Sequence, residues 1–310
     1  MHPRRVASSS RRSILAWATV LSVATTLPAG AAEPDAVPGI SHKPLLTVQK
    51  RAPELERKVM GVLEGLLRTP QLADLKGASA HPSVTIEPNS KLKVTKASVS
   101  LLLKPIYKND RETIVDKKTG RYQGVGEGSL LEIRVNALSR LSFDTSIPDN
   151  LYYEPTRVKD HQGLPVYRVG GETPFLLITA KDRHPWRRVT VSEYLARLVR
   201  EGGSDAAEAK KQAAQLTGGA GDKPACVARK RTEIVGNCEG PNATYYITWN
   251  SKYFDPKKPD AIQLVIVYMG HASHKTQDER YYQQHPLDPF TQLARAYEQY
   301  DWSQVARLVE

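Results

Sequence analysis

The polar residues richest in chemistry follow an apolar run near the C-terminus. His271, His274 and His285 fall within 15 residues of one another, with Asp278 and Glu279 between them, and account for three of the eight histidines in the chain. Imidazole and carboxylate suit zinc or copper, and a catalytic zinc commonly has three protein ligands and one open position. This is where the sequence offers a divalent metal a site, and with it metal-assisted hydrolysis. The pattern lacks the Glu of the His-Glu-x-x-His helix, and histidines in a polar loop are ordinarily just solvated. No cofactor is therefore expected, with a divalent metal at the three histidines as the alternative.

Tyr152-Tyr153, Tyr245-Tyr246 and Tyr281-Tyr282 form three adjacent pairs. In a strand, one member of each pair points to the core and the other to solvent, where its ring can stack on a sugar. Gly124-Val125-Gly126-Glu127-Gly128 has the composition of a phosphate loop, but the alternating run Ser129–Val135 follows it instead of a helix, so it reads as a hairpin or bulge. Lys118-Thr119-Gly120 and Ser90-Lys91-Leu92-Lys93 have the composition of penicillin-binding elements but stand too close together for that fold. A Gly-x-Ser-x-Gly elbow, a His-Glu-x-x-His pair and a Walker loop are all missing from the sequence.

The elements that would position these residues begin after an export signal. Residues 1–32 run from a basic stretch (Arg4, Arg5, Arg11, Arg12) through an uncharged segment, Ser13 to Leu27, to Pro28-Ala29-Gly30-Ala31-Ala32, the layout of a cleavable signal peptide. Cleavage is expected between Ala31 and Ala32, or one residue later. The apolar segment is shorter than the roughly 20 residues of a membrane span, so no transmembrane anchor is expected in the mature form. Arg11-Arg12 before Ser13-Ile14-Leu15 resembles a twin-arginine signal, and the general secretory route is equally compatible.

The chain carries 44 Lys+Arg against 33 Asp+Glu; four of the basic residues lie in 1–32, which leaves a surplus of seven. Outside the cytoplasm such a surface meets an envelope polymer, anionic lipid or a protein partner, and no nucleic acid is expected. Cys226 and Cys238 are the two cysteines, and in an oxidising compartment a disulfide between them is the natural expectation.

Residues 33–50 read as an extended lead-in. The spacing of Leu55, Val59, Val62, Leu63, Leu66 and Leu67 predicts a helix between Pro53 and Pro70, with Gly61 and Gly65 allowing close approach. Period-two alternation predicts strands through Val99–Leu103 and Leu131–Val135, and continuous apolar runs predict buried strands at Pro174–Lys181 and Ala261–Tyr268. Thr190-Val191-Ser192-Glu193 is a capping box, residues 202–224 are a linker-like excursion, and Asp288-Pro289 and Asp301 open two terminal helices. Without regular strand–helix alternation, the class is α+β: antiparallel sheets with packed helices, divisible into units at 51–160 and 161–310.

Pro185-Trp186-Arg187-Arg188-Val189-Thr190-Val191-Ser192-Glu193-Tyr194-Leu195 and Asn250-Ser251-Lys252-Tyr253-Phe254-Asp255-Pro256, with Pro259 and Gln263-Leu264 following, resemble a family of exported bacterial proteins of uncharacterised function. The resemblance covers 174–268; it implies export and supplies no catalytic residue. The expected role is therefore non-catalytic binding of an envelope or extracellular partner by a periplasmic or secreted protein. A hydrolase acting on such material is the alternative.

Overall fold

The computed structural model describes residues 33–138, 141, 150–170, 173–181, 183–227, 235–236, 238, 243–271 and 279–310. The signal peptide, with Arg11, Arg12, Ala31 and Ala32, lies outside the described residues, as does His274.

An eight-stranded sheet organises the chain. Its strands are β1 (Leu45–Val48), β2 (Ala78–Asn89), β3 (Val94–Pro105), β6 (Ser129–Val135), β8 (Thr156–His161), β9 (Leu164–Arg168), β10 (Phe175–Thr179) and β13 (Leu264–His271). Their order is β1-β2-β3-β6-β13-β10-β9-β8, antiparallel throughout except for the parallel pair β1–β2. A small hairpin of β4 (Ile114–Val115) and β5 (Tyr122–Gln123) forms a separate two-stranded sheet, tied to the lead-in through Tyr122. The fold is α+β, as the sequence predicts.

Helices cover one face. Along α1 (Pro53–Leu67), Leu55, Val59, Leu63 and Leu66 recur at helical spacing and are buried against the sheet, each contributing about 1.5–3 kcal/mol. The short α2 (Pro70–Ala73) follows directly. In α6 (Pro289–Gln299), capped by Asp288 as expected, and α7 (Ser303–Ala306), Leu293 and Val305 join the same core, with Trp302 between the helices. Gly65 is needed here, because a Cβ there would stand 2.9 Å from the Tyr300 ring; Gly61, expected to do the same, faces open space.

The opposite face is covered over β13, β10 and β9 by a second core of Phe175, Leu177, Leu264, Ile266 and Tyr268 with Trp186, Ile247, Tyr253 and Phe254. β13 is thus buried on both faces, which is why its sequence has no polar alternation. Its entry is held by Asn136 and Gln263. The Gln263 side chain accepts from Asp255 N (2.7 Å) and donates to Asp255 O and Lys258 O, while Tyr253 Oη donates to Gln263 O (2.7 Å). The stretch Tyr253-Phe254-Asp255-Pro256 is therefore a turn fastened to the central strand.

The glycine run before β6 is structural. A Cβ on Gly124 would run into the carbonyls of Lys104 and Pro105, and one on Gly128 into that of Leu103, so the backbone there lies against β3. The excursion at 202–224 contains α4 (Ala206–Ala214), which packs back through Ala209 on α3 (Val191–Glu201). The division expected between residues 160 and 161 falls inside β8, and the main sheet draws strands from both sides of it; residues 33–310 form one compact unit. Among the described residues, no helix is long and apolar enough to cross a membrane.

Candidate functional site

A second sheet of three antiparallel strands, β11 (Trp186–Arg188), β12 (Tyr246–Trp249) and β7 (Tyr152–Tyr153), runs in that order. Its register sets Tyr246 opposite Tyr153, Ile247 opposite Tyr152 and Thr248 opposite Arg187. Two of the three tyrosine pairs, distant in sequence, are thereby brought together. Alternation sends Trp186, Ile247, Trp249 and Tyr152 to the core shared with the large sheet, and Tyr153, Tyr246 and Arg187 the other way.

Tyr153 is 62% exposed. Its ring lies 5.8 Å from that of Tyr246, which stacks at 4.4 Å on Tyr194 of α3 and shares a hydroxyl–hydroxyl hydrogen bond of 3.3 Å with it. The exposed ring is the outermost of a three-ring column. Its base is placed by the capping box: Thr190 Oγ1 accepts from Glu193 N, and Glu193 Oε2 accepts from Thr190 N and from Arg187 Nη1, each of these last two at 2.9 Å. The Arg187 guanidinium, opposed by partial burial and aided by Thr190, holds the Glu193 carboxyl below the usual carboxylate range.

At the rim, Arg188 donates to both Glu154 carboxylate oxygens, with Nη2 at 2.9 Å from Oε2, and its guanidinium lies 3.6 Å from the centre of the Tyr245 ring. The disulfide sits against this rim. Ala225 donates to Val189 O and accepts from Tyr246 N, Cys226 bridges to both Tyr245 and Gly236, and Cys226 and Cys238 are bonded, as expected from the sequence.

Chemically this face is suited to binding. Its arginine, Arg187, is paired with Glu193. Burial, then the hydrogen bond to Tyr246, raises the Tyr194 phenol, so that it stays protonated and can donate but cannot act as a base at neutral pH. The ring of Tyr153 is open to solvent on this face, with the Arg187–Glu193 pair across β12 from it, whereas Arg188 and Glu154 lie on the opposite face beside Trp186.

Of the histidines singled out by the sequence, His271 and His285 are in other elements. His271 ends β13, paired in register with Ser129. His285 follows α5 (Glu279–Gln284), its Nδ1 is 2.9 Å from Glu33 Oε2, and its ring lies 4.4 Å from that of Tyr281. Glu33 also accepts from Leu287 N (3.0 Å), so His285 helps tie the start of the described chain to the approach to α6. Tyr281-Tyr282, the third pair, lies in α5 and is not among the strands of the small sheet. Among the described residues, no three His, Cys, Asp or Glu are grouped to hold a metal.

A constellation that the sequence did not single out lies on β2. His81 Nε2 is 2.9 Å from Ser79 Oγ, and its ring stacks at 4.4 Å on that of His42. The contact has the form of a nucleophile–base pair, but Ser79 is fully buried and its Oγ accepts from Gly124 N at 2.8 Å, so the group fastens the lead-in and the glycine run to β2. Burial, then the charges of His42 and Lys104, pushes the His81 pKa down to about 4. His161, stacked on Tyr297, is also lowered by burial, against the pull of Glu298.

Both imidazoles are therefore neutral in the fold but take up protons near pH 6.5 when the chain unfolds. Their contribution is complete above about pH 6.5 and is lost as pH falls towards the folded values. Urea midpoints measured between about pH 7.5 and 4.5 should fall, and His81→Gln should flatten the decline by on the order of 1–2 kcal/mol after allowance for solvent screening.

No family model, curated protein or solved structure matches this chain.

Proposed function

We propose that this chain is an exported binding protein whose small sheet takes a glycan of the bacterial envelope against Tyr153. The observation that carries this reading is the exposed Tyr153 ring, backed by Tyr246 and Tyr194, with the Arg187–Glu193 pair on the same face of the small sheet. A pyranose presents an apolar face that stacks on an aromatic ring and hydroxyls that bond to planar guanidinium and carboxylate groups. The pairing of Arg187 with Glu193 favours a glycan over anionic lipid at this face, since its charge is already matched locally. The disulfide agrees with an oxidising compartment, periplasmic or secreted.

Co-sedimentation with purified insoluble peptidoglycan tests the reading. Tyr153→Ala should weaken binding by about tenfold, the loss of one central aromatic anchor, while Tyr281→Ala, away from the small sheet, should bind as the parent does. Equal retention of the parent and Tyr153→Ala chains would remove this face from the binding role.

A further inference from the structure

The two edges of the large sheet are treated very differently. β8, at one end, carries Arg157, Lys159 and Asp160 and has a register shift between Arg157 and Lys159, charge and irregularity of the kind that keep an edge from recruiting another strand. β1, at the other end, is Leu-Leu-Thr-Val, regular in register and exposed along its whole length, with Leu45 at 69%, Leu46 at 41% and Val48 at 42%.

The hydrogen bonding of β1 fixes which groups are available. Gln49 donates to Ile86 O, and the alternation of a strand then turns the amides of Leu45 and Thr47 towards β2 and those of Leu46 and Val48 outward. The side chains of Leu46 and Val48, opposite Val84 and Ile86, lie on the face that α1 covers further in. Their exposure means that the helical layer stops short of the edge. An added strand would find free main-chain groups and an apolar shelf together.

Charge distinguishes the possible occupants. Lys43 and Arg51 flank β1, and neither has an ion pair among the described residues, whereas Lys50 is held by Asp260 at 2.9 Å. A second copy pairing antiparallel with Leu46 opposite Val48, the register that lets the outward groups meet, would bring Lys43 against Arg51 of the other copy, and like charges directly opposite are unfavourable. The geometry points to β1 as a strand-addition site for an extended polypeptide segment with apolar residues at its centre and acidic residues at both ends, bound by main-chain pairing.

Fluorescence anisotropy with a labelled peptide of alternating Val and Thr between two pairs of Asp, titrated with the disulfide-intact chain, tests this. Saturable binding is expected. Leu46→Pro, which removes an outward N–H and no bond to β2, should weaken it at least about tenfold with the melting temperature unchanged. A peptide capped by Lys should bind about tenfold more weakly at low salt. Methylating alternate amide nitrogens of the Asp-capped peptide should abolish binding to the unaltered protein, a readout independent of how Leu46→Pro folds. Equal binding of the Lys-capped or the N-methylated peptide would overturn the proposal, as would equal binding by Leu46→Pro or no saturation. So would a dimer of the parent chain that Leu46→Pro converts to monomer, which would assign the edge to a second copy.

Discussion

Asn136→Ala should destabilise the fold by about 3–5 kcal/mol, the range reached when a buried hydrogen-bond network is broken. Asn136 is wholly buried just after β6. Its Nδ2 donates to Thr95 O (2.9 Å) and Ala261 O (2.8 Å), and its Oδ1 accepts from Gln263 N (2.9 Å) and Leu264 N (3.2 Å). One amide thus satisfies backbone groups at the start of β3 and at the entry to β13. Alanine would leave those four groups unmatched away from water, and would also have to adopt φ +53°, which asparagine tolerates better. Asn136→Gly relieves the second penalty and keeps the first, so it should be less damaging than alanine by about 1 kcal/mol. Asn136→Asp retains the acceptor but loses both donors and buries a charge, so it should be at least as damaging at neutral pH. Urea unfolding of the series measures the order; an alanine variant within about 1 kcal/mol of the parent would contradict it.

No sequence pattern marks Asn136, because its partners come from two segments distant in sequence, at Thr95 and at Ala261–Leu264. Where the information is local, the sequence is readable: the capping box, the Asp288 cap, the helix from Pro53 and the doubly buried β13 all follow from spacing within one segment. β2 was less accessible because Pro82 and Pro88 interrupt its alternation. The structure accommodates both. Ala80 and Ile86 direct their carbonyls towards the lead-in and β1, so by alternation the two prolines lack N–H groups on that side and leave the β3 ladder intact. They also fall outside Ser83–Ile86, the part of β2 paired with β1. The β8–β9 hairpin turns on Gln162-Gly163, both at positive φ, a two-residue turn of the primed type without the usual Asn-Gly signal.

The candidate site was half legible. Doublets of tyrosine announce rings on both faces of a strand, and that signal points to Tyr152-Tyr153 and Tyr245-Tyr246 without saying which member of each faces outward. It could not pair them, since strand order is a long-range property, and it gave Tyr281-Tyr282 equal weight although that doublet is helical. Proximity of histidines in sequence says equally little about which rings meet. His271 and His285 are near in sequence, yet one is a strand residue and the other a partner of Glu33, whereas His42 and His81, nearly 40 residues apart, are the pair that stacks.

The disulfide connects stability with the proposed binding face, and Cys226→Ser with Cys238→Ser should separate the two. Opening a loop with a sequence separation of 12 should cost about 3 kcal/mol by loop entropy, which for a chain of this size lowers the melting temperature by roughly 5–10 °C. The effect should not stop at stability. Cys226 is bridged to Tyr245, and its neighbour Ala225 accepts from Tyr246 N, so the bonded segment is the outer support of the strand that holds the tyrosine column. Below the melting transition the double variant should therefore retain the overall fold, read by far-ultraviolet circular dichroism, yet bind peptidoglycan several-fold more weakly. Dithiothreitol should reproduce the loss in the parent chain and leave the double variant unchanged. A large drop in melting temperature with undiminished binding would mean that β11 and β7 alone fix Tyr246, and that the disulfide serves only to limit the unfolded chain.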